Sequence, residues 1–158
     1  MRDTPAPYCH PTMHLEVDSI VAYQGTDFRV ESIVAYHLAE STLRLARMVG
    51  AGQARFLEIR PNASSDRVLL LDQIDNLDVG PPLPETIYHL GASYLLKLSG
   101  TAAIESMGAA PGLRGPCRLW RYRAAGDQYL QIEEWPDRIR TLAGPAVHAD
   151  MLEVRPAM

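Results

Sequence analysis

The stretch Leu45-Ala-Arg-Met-Val-Gly-Ala-Gly52, followed by Arg55-Phe-Leu-Glu-Ile59, returns later in the chain. Its second copy is Leu119-Trp-Arg-Tyr-Arg-Ala-Ala-Gly126, followed by Tyr129-Leu-Gln-Ile132. Leu45, Arg47, Ala51 and Gly52 reappear as Leu119, Arg121, Ala125 and Gly126. After one deleted residue, Phe56, Leu57 and Ile59 reappear as Tyr129, Leu130 and Ile132. Each copy reads as strand, Gly-containing turn, strand. Taken alone, the first copy is ambiguous: Leu38 to Gly50 carries the Ala, Glu, Leu, Arg and Met of a helix, with Gly50 to cap it. Its partner, Cys117 to Arg123, is aromatic and alternating, which is strand chemistry. Equivalent segments share a conformation, so Leu43 to Met48 is read as a strand.

Working outward, Ile20-Val-Ala-Tyr23, the turn cluster Gln24-Gly-Thr-Asp27 and Phe28 to Tyr36 make a hairpin, with Gly25 supplying the unusual backbone dihedrals. Period-two alternation puts Phe28, Val30, Val34 and Tyr36 on one face. Thr86-Ile-Tyr-His-Leu-Gly91-Ala-Ser-Tyr94 mirrors this hairpin, with Gly91 for Gly25 and Tyr94 for Phe28. Arg67 to Leu71 reads as a buried strand. Asp75-Asn-Leu-Asp-Val79, a short strand or turn, matches Asp150-Met-Leu-Glu-Val154. Gly80-Pro-Pro-Leu-Pro84 cannot enter a central strand. The expected organisation is a flexible N-terminal arm (1–14), a first β repeat (15–80), a Pro-rich linker (81–85) and a second β repeat (86–158) within one compact domain. The fold class that follows is all-β: duplicated antiparallel units forming a two-sheet sandwich or a partly closed barrel with pseudo-twofold symmetry.

The composition suits a soluble domain. The 158 residues are 47% hydrophobic and 22% charged, with a net charge of -4, and no apolar run is long enough to span a bilayer. An acidic balance argues against nucleic acid, whose binders concentrate Lys and Arg. The N-terminus lacks the apolar core of a signal peptide, so a cytoplasmic location is expected. Cys9 and Cys117 form no CxxC motif; Cys117 reads as a buried apolar filler.

The run Val17-Asp-Ser-Ile-Val-Ala-Tyr-Gln-Gly-Thr-Asp-Phe-Arg-Val-Glu-Ser-Ile-Val-Ala-Tyr36 resembles the opening of a bacterial family known as domain of unknown function 4178. Trp120 to Trp135, with Gly144 soon after, is similar to that family's closing pattern of aromatic strand, Gly and Leu-x-Ile-Glu-x-Trp. Glycines expected near Asp18 and Ser32 are absent. The resemblance implies a β-rich fold and no established reaction, and it carries over no catalytic residues.

The sequence contains no HExxH, GxSxG, P-loop, GxGxxG or paired CxxC motif, and no cofactor is expected. Glu133 and Glu134 are adjacent on a strand and face opposite sides, so they cannot work as one acid/base pair. Glu134 fits a strand-end salt bridge to an Arg. Cys9, His10 and His14 could ligate zinc only with a second cluster, which is missing. His37, His89 and His148 are isolated along the chain. Trp120, Tyr122, Tyr129 and Trp135 form the richest aromatic cluster, where the first copy has Ala46, Met48 and Phe56. Either these rings fill the core of the second half, or one copy gained a recognition surface.

Two functions of different class are expected from this. The first is a non-enzymatic binding or scaffold module, contacting a protein partner or a second copy through Trp120, Tyr122, Arg121, Trp135 and Glu134, with Trp120 or Tyr122 partly exposed beside Trp135. The second is a small hydrolase or isomerase with its site in the crevice between the repeats.

Overall fold

The computed structural model describes residues 15–59, 67–75, 77–108 and 115–156. The expected N-terminal arm and the Cys9, His10 and His14 group lie outside these residues, as does the loop expected at Asn62 to Ser65. Among the described residues all regular structure is β apart from one 3-10 turn, Ala149–Met151. The strands are β1 (Ile20–Tyr23), β2 (Thr26–His37), β3 (Thr42–Gly50), β4 (Gln53–Ile59), β5 (Arg67–Ile74) and β6 (Thr86–His89). They continue with β7 (Ala92–Gly108), β8 (Cys117–Ala124), β9 (Gln128–Trp135), β10 (Arg138–His148) and β11 (Leu152–Arg155). Within the ambiguous Leu38–Gly50 segment, Leu43 to Met48 is strand as expected, inside β3, and residues 38–41 form the turn that precedes it, closed by the Leu38 N–H donating to the Ser41 carbonyl.

The strand order is β11-β1-β2-β3-β4-β5-β10-β9-β8-β7-β6, and β2 also pairs with β7. That last pairing closes β2, β3, β4, β5, β10, β9, β8 and β7 into an eight-stranded antiparallel barrel, rather than a two-sheet sandwich or a partly closed barrel. Closure removes the edges of those strands over their shared length. What remains outside is a pair of flaps: β1 with β11 on one side, and β6 on the other.

A bulge makes each flap. The first half of β2 pairs with β1, through Thr26 to Arg29, and its second half pairs with β7, through Ser32 to His37. Between them the register against β3 shifts at Val30/Ser32. β7 does the same: Ala92 to Leu95 pair with β6, Ala103 to Gly108 pair with β2, and the register against β8 shifts at Leu96/Leu98. An extra residue bends a strand and switches which side chains face inward. Here it carries one long strand from flap to barrel. The expectation that Phe28, Val30, Val34 and Tyr36 share a face therefore fails. Phe28 and Val30 pack in an outer cluster with Tyr23, Met48, Leu57 and Leu152. Val34 and Tyr36, past the bulge, sit inside with Leu45, Leu69, Leu119 and Trp135.

Turn chemistry sets the other registers. Gln24-Gly25, Ala51-Gly52 and Leu90-Gly91 each have positive φ at both residues, the geometry of two-residue hairpin turns. The β8–β9 connection holds one residue more, Ala125 to Asp127, because Ala124 is opposite Gln128 while Gly50 is opposite Gln53. So the expected one-residue deletion is an insertion in the turn. Leu57, opposite Ala46, then takes the strand position of Ile132, opposite Trp120, and not that of Leu130.

Gly144 lies where β10 crosses close to β5. A Cβ there would come within 2.1 Å of the Leu70 carbonyl oxygen and 3.0 Å of the Leu71 Cα. Backbone atoms cannot swing away as a side-chain tip can. Gly144→Ala is therefore expected to cost about 1–3 kcal/mol, read as a lower urea midpoint at unchanged slope. An unchanged midpoint would show that the β5–β10 seam yields freely.

Candidate functional site

Strand β9 is buried on both faces. Leu130 and Ile132 point outward into a cluster with Trp120 and Tyr122, so Gln131, Glu133 and Trp135 point into the barrel. Glu133 is fully buried, and four side chains reach its carboxylate. Oε1 accepts the Trp135 indole N–H at 3.0 Å and the Arg140 Nε at 2.9 Å. Oε2 accepts the Tyr36 hydroxyl at 3.0 Å and the Gln131 amide at 2.6 Å. A carboxylate offers about four lone-pair positions, and all are used here. Arg140 closes a ring by donating to the Tyr36 oxygen at 2.9 Å. Its guanidinium stacks 4.9 Å from the Phe56 ring centre.

The network continues on the far side of Gln131. The Gln131 oxygen accepts the Arg121 Nε at 3.1 Å, and Arg121 Nη1 donates to Glu58 at 2.6 Å. Glu58 and Arg121 are buried as well. Two carboxylates and two guanidiniums thus alternate along one chain of bonds through β4, β8, β9, β10 and β2. Arg121–Gln131 and Glu133–Arg140 are directly opposed on neighbouring strands, so the sheet register itself aligns these donors and acceptors.

The groups nearest to nucleophiles are held in their neutral forms. Burial, then the Glu133 charge, raises the Tyr36 phenol well above its usual value. Burial first, and Glu133 next, pushes the Cys117 thiol from 9.0 up to about 12. For Arg140 burial lowers the value, and the Glu133 carboxylate and the Tyr36 oxygen together more than offset it, so the guanidinium stays charged. A raised thiol has a defined linkage. Below about pH 9 both folded and unfolded chains keep the proton, and the stabilisation is complete. Between pH 9 and about 12 the unfolded thiol ionises while the folded one does not, so stability falls as pH rises. Two outcomes follow: the native Cys117 resists iodoacetamide at pH 8 until denaturant is added, and the urea midpoint drops above pH 9. Rapid alkylation of the native thiol would contradict both.

The residues expected to form a recognition surface divide between two sides of the sheet. Arg121 and Trp135 face the barrel interior and join the network above. Trp120 and Tyr122 face outward but are enclosed, at 8% and 0% exposure, which corrects the expectation that one would be partly exposed beside Trp135. β6 and the segment carrying Leu77, Val79 and Leu83 cover them, and the Tyr122 hydroxyl donates to the Pro84 carbonyl at 2.7 Å. Arg118 lies 4.9 Å over the Trp120 ring and also reaches Glu134 at 3.4 Å, the strand-end salt bridge read from the sequence. His37 contacts Thr42 and Glu105 at the surface. Among the described residues no group of three His, Cys, Asp or Glu side chains is placed to hold a metal, and no helix is long and apolar enough to cross a membrane. The buried partners Tyr36, Glu58, Glu133 and Arg140 were not singled out as a site. The sequence signal nearest to them is the polar alternation Gln131-x-Glu133-x-Trp135 on a strand whose other face carries Leu130 and Ile132.

Among the described residues six large apolar side chains are exposed; Met107, Ile139 and Met151 are scattered, and the other three share one hairpin. On the β6–β7 hairpin Tyr88 is 78% exposed, Leu90 84% and Leu95 48%. Leu90 holds φ +48°, a region that costs an L-residue roughly 1–2 kcal/mol and that Gln24 occupies in the β1–β2 turn.

No curated protein and no solved structure matched the chain. A family model did, across residues 16–149, and its description is Domain of unknown function (DUF4178). The matched span runs from before β1 to the 3-10 turn, taking in the whole barrel and both bulges, and so the chain belongs to the DUF4178 family.

Proposed function

We propose that this protein is a non-enzymatic binding module: a barrel stiffened by its internal polar network, making its contacts from the β6–β7 hairpin. The observation that carries this reading is the saturation of Glu133. Its four lone-pair positions are taken, its charge is matched by Arg140, and the neighbouring Tyr36 and Cys117 stay protonated. A catalytic acid, base or nucleophile needs a free position and a pKa near working pH. The enzyme alternative, a hydrolase or isomerase between the halves, draws no support from these groups. A fully satisfied buried network instead fixes a unique packing. The reading also takes the barrel as an internal duplication of residues 15–80 and 86–158, joined by 81–85. Its support is the recurrence, 66 residues apart, of the Gln24-Gly25 turn as Leu90-Gly91 and of the Val30/Ser32 bulge as Leu96/Leu98.

Exposed Leu and Tyr at a strained hairpin tip are the features that suit a recognition surface. The test is a photo-crosslinking amino acid placed at position 90, with position 24 on the related hairpin as control. Irradiation in cell extract should give discrete protein adducts from position 90 and only background from 24. Equal labelling at both would overturn the reading.

A further inference from the structure

The two flaps differ in one respect that points to a partner. The β1 edge is covered: β11 pairs with it from Ile20↔Arg155 to Tyr23↔Leu152. The β6 edge has no such neighbour among the described residues. The Leu96 N–H donates to the Glu85 carbonyl, so Glu85, Ile87 and His89 turn their backbone groups toward β7. By alternation Thr86 and Tyr88 turn theirs outward. Sixty-six residues earlier the same positions are Ile20 and Ala22, opposite Arg155 and Glu153 of β11. Free edges are normally guarded by charge or Pro. β11 follows that rule with Glu153 and Arg155, whereas Thr86-Ile-Tyr-His89 carries neither Pro nor a fixed charge.

We propose that β6 pairs antiparallel with β6 of a second copy of this chain, about a twofold axis at Ile87. The register follows from the backbone. Placing Thr86 opposite the partner's Thr86 would put Tyr88 against Pro84, which has no N–H. Placing Tyr88 opposite the partner's Tyr88 would put Thr86 against Leu90, which is in the turn at φ +48°. Only Thr86 opposite the partner's Tyr88 uses both outward residues on each chain. That register is self-complementary in its side chains. Leu95 is the β7 neighbour of Thr86, so each copy's exposed Tyr88 falls in one cross-strand row with the other's Thr86 and Leu95, the small Thr86 lying between them. Glu85 comes opposite the partner's His89, an acid facing a base. A twofold contact of this kind closes on itself and leaves no further β6 edge.

This inference rests on the proposed role of the hairpin and names its partner. The test is light scattering of the full chain over a concentration series, with Tyr88→Lys and, on the covered flap, Gln24→Lys. The wild type and Gln24→Lys should approach twice the chain mass of 17.5 kDa, and Tyr88→Lys should stay monomeric and melt like the wild type diluted to monomer. The register has its own measurement. In a Cys9→Ser background, Thr86→Cys mixed with Tyr88→Cys should form the interchain disulfide severalfold faster than either variant alone, because directly opposed residues lie within bridging range. A monomeric wild type, a dimer indifferent to Tyr88→Lys, or no preference for the mixed disulfide would overturn the proposal. A monomer that still captures another protein from position 90 would overturn only the second-copy assignment and leave the binding reading standing.

Discussion

Glu133→Ala is expected to lower the unfolding free energy by about 3–5 kcal/mol, a large part of the 5–15 kcal/mol typical of a domain. The substitution removes little apolar surface. Its cost arises because Arg140, buried against Phe56 and Trp135, loses its counter-charge. Tyr36, Gln131 and Trp135 each lose an acceptor at the same moment, and an unmet buried donor costs about 1–3 kcal/mol. Some of that returns if water enters, so the donor costs do not simply add. Glu133→Leu combined with Arg140→Leu separates the charge effect from the rest. Removing both members of a buried pair is often near neutral, while removing one is not. The double variant should therefore be more stable than the sum of the single changes implies, by a coupling of about 0.5–3 kcal/mol. Chemical denaturation of the four proteins measures it. Additive changes would mean that Glu133 and Arg140 do not act as a pair, and the internal network would lose its role as the source of rigidity.

How far this was legible in the sequence depended on the range of the interaction. Gly25 and Gly91 marked their turns because a two-residue hairpin needs positive φ locally. The strand nature of Leu43 to Met48 could be read because the similar sequence Cys117 to Arg123 is aromatic and alternating, which a helix does not favour. The bulges could not be read. Nothing in Val30-Glu-Ser32 announces an extra residue, and without it Phe28 and Val34 would share a face that the structure splits between an outer cluster and the barrel interior. The polar network was hidden for a similar reason. Glu133 meets Arg140 only through the β9–β10 register, and Tyr36 only because the barrel closes, 97 residues distant along the chain. Alternation tells which residues share a face; it does not tell whether the other face is covered. Ala46 and Met48, exchanged for Trp120 and Tyr122, suggested an exposed face that had changed its role. In fact both outer faces are covered, by unequal lids. Leu152 and its neighbour Val154 from β11 help fill the space over Ala46 and Met48. Over the other face β6 is joined by the non-strand residues Leu77, Val79 and Leu83, and the larger rings occupy the volume.

That volume argument makes Trp120→Ala the second large effect, with an expected cost of about 3–5 kcal/mol. Trp120 packs with Ile87, Tyr94, Leu130 and Ile132 under the β6 flap, and the contact with Arg118 adds about 0.5–1 kcal/mol at a site open to water. Among the described residues the flap has few other attachments: four register pairs to β7, the Leu96 N–H bond to the Glu85 carbonyl and the Tyr122 bond to Pro84. Emptying the space beneath it should loosen β6 first, so amide exchange at Ile87 and Tyr94 should quicken more than at Leu69 or Leu71 in the barrel wall. Tyr88→Lys supplies the contrast. In the single chain Tyr88 stands in water, and its replacement should change the monomer's stability by no more than about 0.5 kcal/mol while abolishing self-association. A Trp120→Ala protein that melts like the wild type, with exchange at Ile87 unchanged, would mean that the ring does not hold the flap. The aromatic cluster would then have to be reconsidered as a contact surface that opens in solution. If stability falls and exchange localises to β6, Trp120 is the anchor that holds the proposed contact strand in place.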